Sequence, residues 1–153
     1  MVANTVITMA EKGGSSKTTL CDLLAQALGD AGYKTCAGDL DGQCNLTTAA
    51  GVNADEHKGI YEVLKKEVEV ADAIVPVDGY DYYDFVLFDT PPFFGVSTTS
   101  TLFTNSKVFV LIPTTPDKFG VEGVKDTIED IEAVQEGFSF FGIDIVIAGI
   151  VIT

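Results

Sequence analysis

Between Thr5 and Leu20 the chain passes from an apolar run, through a loop of glycine and serine, to a lysine followed by two threonines. This order predicts a strand over residues 4–10, a loop, and a helix that begins near Lys17 and ends at Gly32. The backbone N–H groups of such a loop and of the first helical turn lack carbonyl partners, and the helix dipole adds about half a positive charge there. The sequence therefore predicts a cradle for phosphate groups at this turn.

The predicted phosphate loop departs from the common pattern GxxxxGK[ST]. Glu11 stands where the first glycine would fall, and Ser16 stands where the second would. Lys17 is expected to place a full charge on the β- and γ-phosphates, and Thr18 to offer a hydroxyl to Mg²⁺. The residues predicted to bind the nucleotide are Lys12, Gly13, Gly14, Ser15, Ser16, Lys17, Thr18 and Thr19.

Carboxylates lie at the ends of two further predicted strands. Strand alternation would put Asp39 and Asp41 on the same side of the second strand, and Asp89 ends the run over residues 85–89. Carboxylates at the carboxyl ends of strands beside a phosphate loop suit Mg²⁺ and water. A solvated Asx turn is the alternative for the first pair, and a core strand with a polar end is the alternative for Asp89. The predicted metal-site residues are Thr18, Asp39, Asp41 and Asp89.

Apolar runs and amphipathic segments alternate along the rest of the chain. We predict further strands over residues 33–40, 107–113 and 143–153, and a helix over residues 121–135 whose outward face is acidic. Parallel strands that alternate with helices indicate an α/β fold, a three-layer sandwich around a mostly parallel sheet that binds nucleotides. We expect a single domain over residues 1–153.

Four segments resemble the ParA/MinD family of deviant Walker ATPases. KGGSSKT over residues 12–18 resembles the loop KGGxxK[ST], and DLDGQCN over residues 39–45 resembles DxDxQxN. YDFVLFDTPP over residues 83–92 is similar to YDxxxxDxPP, and residues 113–124 are similar to the segment PxxxxxxxxEGV of the ParA/Soj-type partition branch. The chain departs from the family at Gly42, where proline is frequent, and at Cys44, where glycine is frequent.

The resemblance implies a P-loop NTPase fold of the SIMIBI class, with ATP and Mg²⁺ as ligands and slow, partner-stimulated ATP hydrolysis. It implies that Asp41 orients the attacking water and that Lys12 reaches across a nucleotide-sandwich homodimer to the other copy's phosphate. The catalytic residues implied in this way are Lys12, Lys17 and Asp41. It also implies a cytoplasmic, nucleoid-associated protein of plasmid or chromosome segregation, with a ParB-type partner and non-specific DNA bound through regions outside this chain.

Two other functions stay open. One is a MinD-like positioning ATPase at the membrane surface, for which an amphipathic C-terminal tail would be diagnostic. The other is a nucleotide-dependent scaffold, if Ser16 and Gly42 weaken turnover. An iron–sulfur carrier of the nitrogenase-reductase type is not expected, because the three cysteines form no ligand-like pair.

Charge and hydropathy limit the class further. The net charge is −14, with nine lysines and no arginine, so a nucleic-acid surface would have to be local and an arginine finger in cis is excluded. No apolar run approaches a membrane span and no signal peptide is recognisable, which predicts a soluble intracellular protein without membrane attachment. The family normally carries another strand and helix near residues 79–80 and continues past residue 153, so we expect an incomplete family domain.

Overall fold

The structure is a computed structural model that describes residues 3–75, 82–104 and 107–153. Strands and helices alternate along the chain as the sequence predicts. The strands are β1 (Asn4–Thr8), β2 (Thr35–Asp39), β3 (Phe85–Asp89), β4 (Lys107–Thr114) and β5 (Asp144–Ile152). The helices are α1 (Lys17–Asp30), α2 (Asn45–Ala49), α3 (Ile60–Leu64), α4 (Val96–Thr101) and α5 (Lys118–Gly137), and short 3₁₀ turns lie at residues 54–56, 70–73 and 139–141.

The five strands form one sheet in the order β2-β3-β1-β4-β5, and every pairing is parallel. All carboxyl ends therefore meet along one edge, which is where ligands bind in open α/β sheets. Three residues lie in register at that edge, because Thr8 of β1 and Asp39 of β2 both pair with Asp89 of β3. The predicted α/β fold with a mostly parallel sheet is confirmed.

Helices pack on both faces of the sheet. Alternate residues of β1 and β4 point to the face that α5 covers, and Ile7, Val110 and Ile112 are buried there against Ile131. On the opposite face Cys21 of α1 and Leu46 of α2 enclose Leu87 of β3. The central strands are thus covered on both sides, which explains why their sequences read as continuous apolar runs.

Several boundaries differ from those predicted. Helix α5 begins at Lys118, not near residue 121, because the Asp117 carboxylate accepts a 2.8 Å hydrogen bond from the Gly120 N–H and caps the helix. Strand β2 ends at Asp39, so alternation along a strand does not extend to Asp41. The predicted junction near residues 79–80 lies outside the described residues. Where the structure describes the chain, its helices are too short or too polar to cross a membrane.

Candidate functional site

The phosphate loop connects the end of β1 to the start of α1. Two of its residues have left-handed backbones, Gly14 with a φ of 78° and Ser16 with a φ of 62°. A Cβ atom built on Gly13 or Gly14 would meet no other atom within 4 Å, so space is open along this stretch of backbone. The N–H groups in the first turn of α1 have no carbonyl partners within the helix. They point out of its amino end toward the loop, as an anion site requires.

Lys17, the first residue of α1, is almost fully buried at 7% exposure. Its ammonium donates a 3.4 Å hydrogen bond to the carbonyl oxygen of Lys12, which also accepts one of 3.0 Å from the Ser15 hydroxyl. Burial lowers the pKa of Lys17, and the negative charges of Asp89 and Asp41 oppose that change. An anion bound in the loop would stabilise the charged form of this buried ammonium, because its hydrogen bond to Lys12 is long.

Thr18 joins the phosphate loop to the end of β3. Its hydroxyl donates a 2.6 Å hydrogen bond to Oδ2 of Asp89, while the Thr8 hydroxyl lies 3.4 Å from Oδ1. Asp89 is fully buried, and this burial raises the pKa of its carboxyl group against the opposing effect of the Thr18 hydrogen bond. Hydroxyl and carboxylate oxygens are ligands that Mg²⁺ prefers, and a cation would offset the cost of this buried charge. The residues present therefore fit a magnesium ion.

Asp39 and Asp41 lie at the end of β2, and both organise the backbone that follows. Asp39 accepts hydrogen bonds at Oδ2 from the N–H and the hydroxyl of Thr47, each 3.0 Å long, and at Oδ1 from the Asp41 N–H. Asp41 accepts a 3.1 Å hydrogen bond from the Gln43 N–H, which is an Asx turn. Both oxygens of Asp39 are occupied, so it suits an outer position at a metal better than direct ligation.

The described residues bring together only part of the predicted metal set. Thr18 contacts Asp89, and Asp39 lies beside Asp89 in register, whereas Asp41 lies in the turn beyond β2. Within the described ranges, no group of three His, Cys, Asp or Glu side chains could hold a metal. A site here would therefore use a hydroxyl and carboxylates together with oxygens of the nucleotide.

The side chain of Lys12 does not lie in the cradle. It points toward the start of α5, where its ammonium is 3.7 Å from Oδ1 of Asp117 and 5.2 Å from the centre of the Phe119 ring. Lys12 and Asp117 are both about half exposed, at 44% and 50% of their side-chain surface. The two lysines of the loop are thus separated, with Lys17 turned inward and Lys12 turned outward.

Two residues of this site are missed by reasoning from sequence. Thr8 reaches Asp89 through the register of β1 and β3, and no local pattern reveals a register between residues 81 positions apart. Asp117 has a recognisable local role, because a Pro-Asp pair before a helical pattern is typical of a helix N-terminus. Its second role beside Lys12 depends on the tertiary fold.

Comparison with known proteins identifies the family. Residues 3–81 and 77–140 match a family model described as an AAA domain, and the two segments together span most of the chain. The chain belongs to this AAA-domain family. The predicted resemblance to ParA/Soj-type partition ATPases is also confirmed. Proteins named Soj or ParA match 84% to 94% of this chain.

Three similar proteins show the range of this likeness. The chromosome-partitioning ATPase Soj of Thermus thermophilus is 28% identical over 158 residues, covering 84% of this chain and 61% of Soj. The structure of apo McdA from Cyanothece has a TM-score of 0.81 at 21% identity, covering 98% of this chain and 72% of McdA.

The third is cobyrinic acid a,c-diamide synthase from Mycobacterium smegmatis with bound ADP and magnesium. It has a TM-score of 0.81 at 22% identity, covering 97% of this chain and 72% of that protein. The two structural matches establish a shared fold. The chain spans about three fifths of the length of the Thermus Soj protein.

Proposed function

We propose that this chain is the nucleotide-binding part of a ParA-like partition ATPase that binds ATP with Mg²⁺ and hydrolyses it slowly. The observation that carries the proposal is the 2.6 Å hydrogen bond between Thr18 and Asp89. It links the helix that begins at the phosphate loop to the buried carboxylate of a neighbouring strand, as one magnesium–nucleotide site requires. The names of the relatives support ATP as the nucleotide.

Each residue of the proposed site has a distinct task. The loop amides from Gly13 to Thr19 and the Lys17 ammonium bind and orient the β- and γ-phosphates. Thr18 and Asp89 would hold Mg²⁺, with Asp39 outside them, and the ion would neutralise charge on the phosphate oxygens. Asp41 orients a water molecule toward the γ-phosphate, and its Asx turn fixes the position of its carboxylate.

The wider assembly is part of the same proposal. Lys12 would contact the phosphate of a second copy, so that hydrolysis depends on an ATP-sandwich homodimer. In the proposed role, a ParB-type protein stimulates hydrolysis. The protein is cytoplasmic, associates with the nucleoid, and binds non-specific DNA through regions outside this chain. The relatives' involvement in chromosome partitioning supports this reading.

The role of Asp41 is tested by Asp41→Ala. Removing the carboxylate should lower ATP turnover about a hundredfold while ATP binding is kept, because the phosphate contacts come from the loop. Turnover is measured as phosphate release, and binding with a fluorescent ATP analogue. The matched control is Asp55→Ala, which removes a carboxylate from an exposed 3₁₀ turn distant in sequence from the site. Equal turnover in wild type and Asp41→Ala would contradict the assignment.

Sedimentation of the full-length protein separates the proposed role from its alternatives. A partition ATPase should dimerise with ATP, remain monomeric with ADP, and sediment with duplex DNA only when ATP is present. A MinD-like protein should instead sediment with anionic lipid vesicles in ATP. Dimerisation without measurable phosphate release would favour a scaffold.

One observation favours the scaffold as the second candidate. Ser16 places a Cβ atom at a left-handed position, beside the backbone that must approach the phosphates. A phosphate loop that binds the nucleotide but fits its transition state poorly would act as a nucleotide-dependent switch with little turnover.

A further inference from the structure

We infer that Asp117 and Phe119 are positioning residues that hold Lys12 away from the nucleotide in a single copy, and so set how readily two copies associate. This inference rests on the proposed function, in which Lys12 meets the phosphate of a second copy. We call Lys12, Asp117 and Phe119 the Lys12 cluster. It joins the phosphate loop to the first turn of α5.

Lys12 lies close to three residues at the start of α5, namely the N-cap Asp117, Phe119 and Gly123. The Asp117 carboxylate lies 3.7 Å from its ammonium, and the Phe119 ring lies 5.2 Å away, within the range of a cation–π contact. The stem of Lys12 also lies against α5, since a Cβ atom built on Gly123 would be 3.7 Å from the Lys12 Cβ. The position of the ammonium is therefore determined by α5 as well as by the loop.

Two hydrogen bonds orient the Asp117 carboxylate that lies beside the Lys12 ammonium. Its Oδ1 accepts a 2.8 Å hydrogen bond from the Gly120 N–H, and its Oδ2 accepts one of 2.7 Å from the Thr115 hydroxyl. Because these hydrogen bonds already orient the carboxylate, forming the ion pair costs side-chain entropy mainly on the lysine. The same hydrogen bonds and the Lys12 charge hold the pKa of Asp117 below its usual range, so the carboxylate is ionised near neutral pH.

The cluster competes with the second copy for one ammonium group. Both partners are about half exposed, so the pair is weak and opens readily, which suits a contact that must be exchanged. Phe119 is 65% exposed and follows the carboxyl end of β4, on the same edge of the sheet as the phosphate loop. An approaching copy that covers this edge would therefore meet Phe119 and Lys12 together.

The test is Asp117→Asn, with association measured by sedimentation at a series of protein concentrations in a non-hydrolysable ATP analogue and Mg²⁺. Asparagine can still accept the Gly120 hydrogen bond and cap α5, but it no longer holds the ammonium. The concentration at half association should fall about two- to fivefold, and the effect should shrink in high salt. Phe119→Leu should shift it in the same direction by a smaller factor.

Two controls make the result specific. Asp144→Asn removes the same charge from the Lys107 ion pair at the amino end of β5, and should shift the half-association concentration much less than Asp117→Asn does. In a Lys12→Gln background, which itself raises the half-association concentration, Asp117→Asn should not shift that concentration further, because its partner is gone.

Each outcome decides between the two proposals. An unchanged midpoint for Asp117→Asn, or a shift that persists without Lys12, would overturn the inference and leave the proposed function intact. Failure of wild-type protein to bind ATP or to associate at any concentration would overturn the proposed function, and the inference would fall with it.

Discussion

Ser16 shows how one residue of the phosphate loop can carry backbone strain. Its φ of 62° and ψ of 27° are left-handed, and its side chain makes no capping hydrogen bond to α1. Cys44 begins α2 in the same way, with a φ of 53°. Ser16 stands where the common pattern GxxxxGK[ST] has glycine, and Cys44 stands where glycine is frequent in the ParA/MinD family. Each position therefore holds a non-glycine residue in a backbone conformation that favours glycine.

Ser16→Gly should stabilise the protein. The left-handed backbone costs a non-glycine residue about 1 kcal/mol, and the greater freedom of glycine in the unfolded chain offsets part of that gain. We expect the free energy of unfolding in urea to rise by up to about 1 kcal/mol. Ser16→Ala keeps the Cβ atom and loses no capping hydrogen bond, so it should show no gain. Equal stability of the glycine and alanine variants would show that the backbone here is not strained.

At the scale of single residues, sequence predicts where candidate groups lie along the chain better than it predicts what they touch. Lys17, Thr18 and Asp89 are recognisable from local order, since Lys17 and Thr18 begin the helix after the glycine-rich loop and Asp89 ends an apolar run. The contact between Thr18 and Asp89 joins residues 71 positions apart and depends on the pairing of β1 with β3. The placement of Lys12 beside Asp117 depends in the same way on where α5 begins.

Among the elements, α5 begins in a sterically crowded place, close to the end of β4. The chain turns from β4 into α5 within a few residues, and Gly120 is buried in that first turn. A Cβ atom at Gly120 would overlap the carbonyl oxygen of Thr115 and lie 2.7 Å from Oγ1 of Thr114. Glycine is required here because the strand and the helix approach so closely.

Gly120→Ala should therefore be destabilising although it lies in a helix. We expect the free energy of unfolding to fall by about 1 to 3 kcal/mol, because the added methyl group overlaps backbone that cannot move freely. The control is Gly29→Ala in α1, where a Cβ atom would meet nothing within 4 Å. That change should stabilise the protein by up to about 1 kcal/mol through helix propensity. Urea denaturation of both variants measures the contrast, and a Gly120→Ala protein as stable as wild type would contradict so close an approach of β4 and α5.

In the loop after β1, the Glu11 carboxyl lies near the carboxyl groups of Asp126 and Asp130 in α5. The pKa of the Glu11 carboxyl is raised by a hydrogen bond to Asp130, by desolvation, and by the charges of Asp130 and Asp126. A carboxyl whose pKa is higher in the folded protein favours folding when protonated, and this contribution is lost as the pH rises through the folded pKa. The ionised form of Glu11 thus destabilises the junction of β1 with α5 at neutral pH.

Glu11→Gln should raise the melting temperature at pH 7, because glutamine resembles the protonated acid. The gain should disappear as the pH falls through the pKa of Glu11, where the wild-type carboxyl is itself protonated. Glu132→Gln removes a carboxylate from an exposed position of α5 and serves as the control for charge alone. A melting-temperature gain for Glu11→Gln that is the same at every pH would rule out this explanation.

The elements themselves are largely predictable, and their ends less so. Strands β1, β3, β4 and β5 follow apolar runs, whereas β2 has a mixed sequence, and α5 follows apolar spacings of three and four residues. The helix begins earlier than those spacings predict, because the Asp117 cap extends it into a stretch without apolar periodicity. The order β2-β3-β1-β4-β5 cannot be predicted from periodicity. The pattern shows where each strand lies along the chain, but it does not show beside which strand a parallel connection places the next one.

At the scale of the whole molecule, net charge opposes the association of two copies. Each copy carries a net charge of −14, and no arginine contributes to its positive charge. Two such copies repel each other over distances comparable with the Debye length, which is about 30 Å at 0.01 M salt and about 10 Å at 0.1 M. The proposed contact between Lys12 and the nucleotide of the other copy acts over much shorter distances. The proposed dimerisation would therefore have to overcome a repulsion that salt screens.

We expect ATP-dependent association to strengthen several-fold as KCl rises from about 0.01 M to about 0.15 M, because screening acts first on the long-range repulsion. Sedimentation at saturating non-hydrolysable ATP analogue measures this without a contribution from weaker nucleotide binding. Lys125→Gln, on the exposed side of α5, makes each copy more negative and should steepen the dependence. DNA binding should respond in the opposite direction, because it releases counterions from the phosphates. Association that weakens steadily from the lowest salt would mean that local attraction across the interface outweighs the net charge.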